Sequence, residues 1–224
     1  MIYSEEEQKL IIQYWKDQYS TSCKKCQGTG YIDNHICSCA VDASVSATLE
    51  LNGFGRKYLQ INLSNEHLKE KLNNYLNNFP NNLKNGKGLY IFGKHNTEKT
   101  LAVTVLAKTI LAIENPLNIK TFNIKFFLYD DLVRYSYDDH SFFELENIIK
   151  KTNILVLDNI GVETGLYTNA RSSVSLLENI IRNRDMRGDL TWITSTLPKG
   201  KLSEVYNESI ASIISRNNMI ICSV

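Results

Sequence analysis

The stretch Gly93-Lys94-His95-Asn96-Thr97-Glu98-Lys99-Thr100 limits what this chain can fold into more than any other part of it. It follows the phosphate-loop pattern G-x-x-x-x-G-K-[ST] at Gly93, Lys99 and Thr100, and departs from it at Glu98, where a glycine belongs. Gly88–Phe92 reads as a short buried strand entering the loop, and Leu101–Ile113, rich in Ala, Leu, Ile and Val, as the helix leaving it. A strand–loop–helix of this kind aims backbone N–H groups and a helix N-terminus at a phosphate. Glu98 sets a carboxylate and a bulky Cβ where backbone should meet phosphate oxygens. Its charge would either repel a triphosphate or pair internally with Lys99. The expectation is a nucleotide-binding scaffold with damaged nucleotide chemistry.

The remaining pattern extends that unit into an α/β fold. Residues 5–19 carry Leu10, Ile11, Tyr14 and Trp15 at helical spacing. Residues 40–57 predict a connecting helix broken at Asn52-Gly53-Phe54-Gly55, and 64–79 a helix with Ser64 as N-cap and Pro80 past its end. A polar loop is expected over 81–86. Downstream, strands are predicted at Ile124–Leu128, Asn153–Leu157, Leu190–Ser195 and Met219–Cys222. Helices are predicted from Asp130 or Asp131 through Tyr135, over Phe142–Lys150 and over Arg171–Arg187, with two short ones before the last strand. Alternation of this kind indicates a parallel sheet with helices on both faces. The 224 residues suffice for one such domain and a small appendage, and a 43% hydrophobic content supports a packed core.

Charge and cysteines narrow the function classes. Twenty-five basic against 24 acidic side chains argue against a dedicated sequence-blind DNA binder. The start lacks a basic n-region followed by an apolar run, and no apolar run reaches ~18 residues, so a cytoplasmic protein without a membrane span is expected. Four of the five cysteines fall in Cys23-Lys24-Lys25-Cys26-Gln27-Gly28-Thr29-Gly30 and Cys37-Ser38-Cys39. Two thiolate pairs about ten residues apart fit a tetrahedral zinc site of four cysteines, with His35 as an alternative ligand and redox-active thiols as the competing reading. Such zinc would be structural, because four thiolates leave no open position. Cys222, in an apolar strand, is expected in the core.

An NTPase needs a second apolar strand ending in acid, and Ile154-Leu155-Val156-Leu157-Asp158 supplies it. Asp158 would hold Mg2+ through water, unless it merely ends a strand. Asn159 stands where a second carboxylate would orient attacking water, and Glu163 is an alternative base. Together with Thr-Trp-Ile-Thr-Ser-Thr-Leu at 191–197, these segments resemble the DnaC/DnaI/IstB family of AAA+ helicase loaders and transposition helpers, from about Gly88 to Arg216. The cysteine segment is similar to the zinc-bearing helicase-binding domain of DnaI-type loaders.

The resemblance implies a zinc-binding, helicase-interacting domain over residues 1–55 and an AAA+ P-loop domain over 56–224. It assigns Lys99 to the β- and γ-phosphates, Thr100 to Mg2+, Asp158 to Walker B, Thr196 to sensor 1 and Arg216 to an arginine finger; Arg216 alternatively neutralises a helix end. Glu98, Asn159 and Thr196 each replace the family's residue at a position that handles the γ-phosphate, so little or no ATP hydrolysis and weak or absent ATP/Mg2+ binding are expected. The expected partner is a replicative DNA helicase, contacted by the zinc module and the Tyr14/Trp15 face, although that aromatic pair could equally pack within its own domain. Self-association, a host loader and single-stranded DNA are further candidates. For DNA, Arg182, Arg184, Arg187, Lys199 and Lys201 are the candidate contacts, with a solvated face as the alternative. Two other readings stay open, an active ATPase using Glu163 and an inhibitor or decoy of helicase loading. A DnaJ-like module is disfavoured, since only one Cys-x-x-Cys-x-Gly-x-Gly repeat occurs.

Overall fold

The computed structural model describes residues 3–114, 123–137, 139–161 and 170–223. They form two compact units, one of residues 1–61 with 104–122 and one of 62–103 with 123–224.

In the first unit, α1 (Glu5–Tyr19) begins with a capping box in which Ser4 and Glu7 each take the other's backbone N–H. A small hairpin follows, β1 (Tyr31–Ile32) and β2 (His35–Ile36), closed by Asp33 and Asn34, both at positive φ as a two-residue I′ turn demands. Next come α2 (Ser38–Leu51) and the short α3 (Arg56–Leu59). Trp15 is fully buried and its indole N–H donates to Glu50 at 2.6 Å. Glu50 also takes a forked contact from Arg56, whose guanidinium lies 4.1 Å from the centre of the Tyr14 ring. Of the two alternatives for Tyr14 and Trp15, the structure shows packing within their own domain: Trp15 is a core residue whose polar tip needed a buried partner, and Tyr14 is half-buried. The exposed apolar residues of α1 are Leu10 and Ile12 instead.

The second unit opens with α4 (Glu66–Asn77) and α5 (Phe79–Lys84). The expected polar loop is thus mostly helix, and Pro80 lies in its first turn, where proline's fixed φ and missing N–H are tolerated. Asn65 caps α4 in place of Ser64, accepting from the Leu68 N–H at 3.0 Å. There follow β3 (Gly88–Gly93), α6 (Lys99–Glu114, of which the residues to Val103 belong to this unit), β4 (Ile124–Leu128), α7 (Tyr129–Tyr135) and α8 (Asp139–Lys150). Neither Asp130 nor Asp131 caps α7; both lie in its first turn, where negative charge favours the helix dipole. The rest is β5 (Ile154–Ile160), α9 (Ala170–Arg187), β6 (Leu190–Ser195), a 3-10 turn at Lys199–Lys201, α10 (Leu202–Val205), α11 (Glu208–Asn217) and β7 (Asn218–Ser223).

The five strands of this unit run parallel in the order β4-β5-β6-β3-β7. Tyr90, Leu155, Leu157 and Ile193 face a core filled from α7 to α11. On the opposite face Trp192 donates to the Tyr75 hydroxyl of α4. Helices therefore cover both faces, as the alternating pattern predicts. Cys222 does not join the core; it is exposed on β7, an edge strand. Among the described residues no helix is long and apolar enough to cross a membrane.

Candidate functional site

Parallel strands bring their carboxyl ends together, and the loop after β3, the end of β5 and the end of β6 meet there. Gly93 must be glycine: a Cβ would lie 2.2 Å from the Ser223 hydroxyl and 2.3 Å from its carbonyl oxygen. The loop then turns through two left-handed residues, Asn96 at φ 62° and Glu98 at φ 59°. Glu98 thus takes up the backbone geometry that the missing glycine would adopt freely.

Its side chain does not enter the loop. Both carboxylate oxygens turn to the start of α4. There Ser64 N–H reaches them at 3.1 and 3.3 Å, Ser64 Oγ donates at 2.6 Å and Asn65 N–H at 2.8 Å. Hydrogen bonding from Ser64 holds the Glu98 carboxyl below its ordinary value, with burial opposing and the Asn65 amide assisting. This corrects both expected fates of Glu98, since it neither fills the phosphate position nor pairs with Lys99. Lys99 is buried and folds back over its own loop, its Nζ donating to Gly93 O at 3.0 Å, Lys94 O at 2.5 Å and Thr97 Oγ1 at 3.3 Å. Those carbonyls stand in for an anion as the cation's partners. Burial lowers the Lys99 ammonium's affinity for its proton, and the Asp158 charge opposes that.

Asp158 lies in a bulge of β5, where the register with β6 shifts between Leu157 and Ile160. Bulges re-aim side chains, and this one is closed by Thr194. Thr194 Oγ1 donates to Asp158 Oδ1 at 2.6 Å and accepts the Asn159 N–H at 2.9 Å, with Asn159 at φ 66°. Thr100 Oγ1 donates to the same carboxylate at 2.9 and 3.1 Å. Burial pushes the Asp158 carboxyl up, against the two threonine hydroxyls and Lys99. The buried, hydrogen-bonded carboxylate beside a loop hydroxyl and ammonium is the donor set a hydrated Mg2+ and an oligophosphate require, so the residues fit that ligand pair.

Of the expected site residues, Gly93, Glu98, Lys99, Thr100, Asp158 and Asn159 come together here. Thr196 follows β6 half-buried, whereas Thr194, which sequence reasoning passed over, reaches Asp158. Alternation along β6 puts Thr194 and Thr196 on one face, so the sequence carried no signal that singled out Thr194. Glu163 lies outside the described residues. Arg216 sits at the opposite end of the sheet: Lys87, just before β3, donates to its carbonyl, and its guanidinium pairs with Asp185 at 2.7 Å. The length of β3 places it roughly 17 Å from the loop.

Of the basic residues that are candidates for DNA contact, one is unavailable to solvent. Arg184 is fully buried and donates to the carbonyls of Ile149, Thr152, Asn153 and Leu190 and to Thr191 Oγ1, so it is a structural clamp and not a phosphate contact. Arg182 pairs with Glu178 and Arg187 with Asp189, while Lys199 and Lys201 are exposed.

The second constellation is Cys23, Cys26, Cys37 and Cys39, whose sulfurs all lie within 4.8 Å of one another. Cys23–Cys37 and Cys26–Cys39 are 3.8 and 3.4 Å apart, near the ~3.8 Å tetrahedron edge that Zn–S bonds of ~2.3 Å impose. Cys37 is the N-cap of α2 and Cys39 lies in its first turn, where the helix dipole favours thiolate. Burial pushes the Cys39 thiol up to about 12, with the neighbouring thiols adding to it. Burial also opposes ionisation at Cys26, but the Gly30 N–H and neighbouring thiols outweigh it and bring that group down to about 6. Four thiols so arranged cannot all ionise without a cation among them, and zinc fits. His35, exposed on β2, is not part of the cluster.

No protein-family model and no curated protein sequence matches this chain. Solved structures do. The chain is similar to DnaI at 19% identity and a TM-score of 0.56, covering 75% of this chain and 87% of that one. It is similar to the DnaC helicase loader at 21% identity and a TM-score of 0.58, covering 76% and 100%. It is also similar to the replication initiator DnaA bound to AMPPCP and single-stranded DNA, at 15% identity and a TM-score of 0.56, covering 76% and 51%. At these identities the likeness establishes a fold shared with these structures.

Proposed function

We propose that this chain is a helicase-loader-like protein of DNA replication, with the cysteine-bearing residues 1–55 as its contact to a replicative helicase and residues 56–224 as an AAA+ scaffold of weak or absent ATP hydrolysis. The observation that carries this reading is the conjunction, in one chain, of a four-cysteine cluster with the fold of DnaI and of the DnaC helicase loader. Asn159 supports the low turnover. Its amide cannot take a proton from water, and loss of one positioning group lowers a rate by ~10²–10³. Zinc, held by the four cysteines, would supply the folding energy of their segment.

The test is capture of a purified replicative helicase by the full chain and by two point variants. Point variants are preferable to truncation, because the compact unit around the cysteines also takes in residues 104–122. The expected result is capture by the wild type, loss with Cys26→Ser and retention with Lys99→Ala. Absence of capture by the wild type, or undiminished capture by Cys26→Ser, would overturn the assignment. Glu98 turning away from the loop favours a second reading, a working ATPase, which a phosphate-release assay separates from the first. A decoy would capture helicase equally and then block its loading onto DNA.

A further inference from the structure

We propose that Glu98 is a latch. Its carboxylate fastens the phosphate loop to the residues that open α4, so the loop is held ready for an anion by the very side chain that breaks its sequence pattern.

Three observations point the same way. First, both oxygens of Glu98 are engaged, accepting from two successive backbone amides and one hydroxyl of Ser64 and Asn65. These donors lie at the N-terminus of α4, where the helix dipole favours negative charge. Second, the backbone of Glu98 keeps the left-handed turn of a phosphate loop, and its carbonyl accepts the Ala102 N–H at 2.8 Å, the first bond of α6. One residue therefore starts α6 with its main chain and grips the start of α4 with its side chain. Third, the interior of the loop carries no carboxylate. Lys99 turns inward to Gly93 O, Lys94 O and Thr97 Oγ1, and Thr97 in turn meets the Ser223 hydroxyl at 2.7 Å.

A glycine at position 98 leaves the loop its full conformational freedom, which must be lost on binding. Glu98 removes part of that freedom in advance. It acts as a positioning residue for the loop. Only the nucleotide arm of the test below rests on the reading of the loop as a nucleotide site.

Hydrogen exchange of the full, zinc-replete chain without nucleotide tests the latch directly. Ser64→Ala and Glu98→Gln are each expected to speed exchange of the amides at residues 95–98 about tenfold or more, while the strands β5 and β6 keep wild-type protection. Glu98→Asp, which keeps the charge on a shorter arm, should fall between. Unchanged exchange at 95–98 in both Ser64→Ala and Glu98→Gln would overturn the latch. Calorimetric titration with Mg2+–ATP forms the second arm. Glu98→Gly is expected to bind about three- to tenfold more weakly than wild type, whereas tighter binding by Glu98→Gly would overturn the latch in favour of charge repulsion. Loosened exchange without ATP binding by any form would leave the latch standing and sink the nucleotide reading, so the two failures are distinct.

Discussion

At the scale of single residues, the site is governed by how polar groups in a bulge and a tight loop find partners. A side-chain-bearing residue in the left-handed region is disfavoured by about 1–2 kcal/mol, and Glu98 occupies that region. Hydrogen bonds to a charged group contribute about 1.5–3 kcal/mol each when shielded and less at a half-buried position, so the Ser64 and Asn65 contacts suffice to offset the strain. Thr194 has a comparable part in β6, joining the Asp158 carboxylate to the Asn159 N–H. Thr194→Val keeps the shape and removes both bonds. We expect it to lower stability by about 1–3 kcal/mol, read as a fall in the urea midpoint at unchanged slope. That Gly93, Lys99, Thr100 and Asp158 come together was legible in the sequence, because each answers to a local pattern. The direction of Glu98 was not, since its partners lie 33 and 34 residues away and no periodicity reports them. Thr194 and Thr196 share one strand face by alternation, and only the bulge decides which of them reaches Asp158.

At the scale of elements, the five strands of the parallel sheet and most helices follow from periodicity, because a buried parallel strand reads as an unbroken apolar run, whereas the exposed two-residue strands β1 and β2 carry no such run and were not legible. The misreadings lie where a polar side chain serves the interior. Asn81 and Asn82 read as loop residues yet belong to α5, where Asn82 donates to the Tyr75 carbonyl. Arg184 reads as surface charge, yet its guanidinium satisfies carbonyls at the end of α8 and the start of β6 that have no water to meet. Burial brings that group down to about 10, still charged at neutral pH. The junction of α9 with α11 carries a pH dependence. Glu178 is brought down to about 2 from the usual 4.5 by hydrogen bonds from Arg182, then Ser209 and Asn207. A carboxyl lowered in the folded state contributes stability that is present above 4.5 and is lost as pH falls from there through about 2. Glu178→Gln should therefore flatten the acid side of the stability profile in that window while lowering stability at pH 7. Urea midpoints measured from pH 6 down to 2 check this, and an unchanged acid slope would remove Glu178 as a source.

At the scale of the whole molecule, each of the two compact units buries apolar residues of its own, and one of them also carries the four cysteines. The sheet unit has a continuous apolar core from Tyr90 to Ile214. Around the cysteines the buried cluster is Cys26, Cys37 and Cys39, with Tyr19, Cys23 and Ala40 against it, too small to fold its segment unaided. Metal binding contributes apparent free energies of about 10–16 kcal/mol to structural zinc sites at pH 7, enough to decide whether such a segment folds. Removing zinc with a strong chelator should therefore unfold residues 20–40 while the sheet unit keeps its protection. The division falls within α6, whose residues to Val103 belong to the sheet unit and whose later residues belong to the other. Lys108 on that later part donates to the Leu59 carbonyl at 2.9 Å and lies over the Tyr19 ring. Tyr19 also stacks on Trp15, so loosening around the cysteines reaches Lys108 through a partner they share. Hydrogen exchange after chelation should consequently rise at 104–114 as well as 20–40, with 99–103 and the strands β3, β5 and β6 unchanged. Equal loss of protection across the sheet would mean that the molecule unfolds as one unit. No change at 20–40 in metal-free protein would mean that the cysteines do not depend on zinc for their fold.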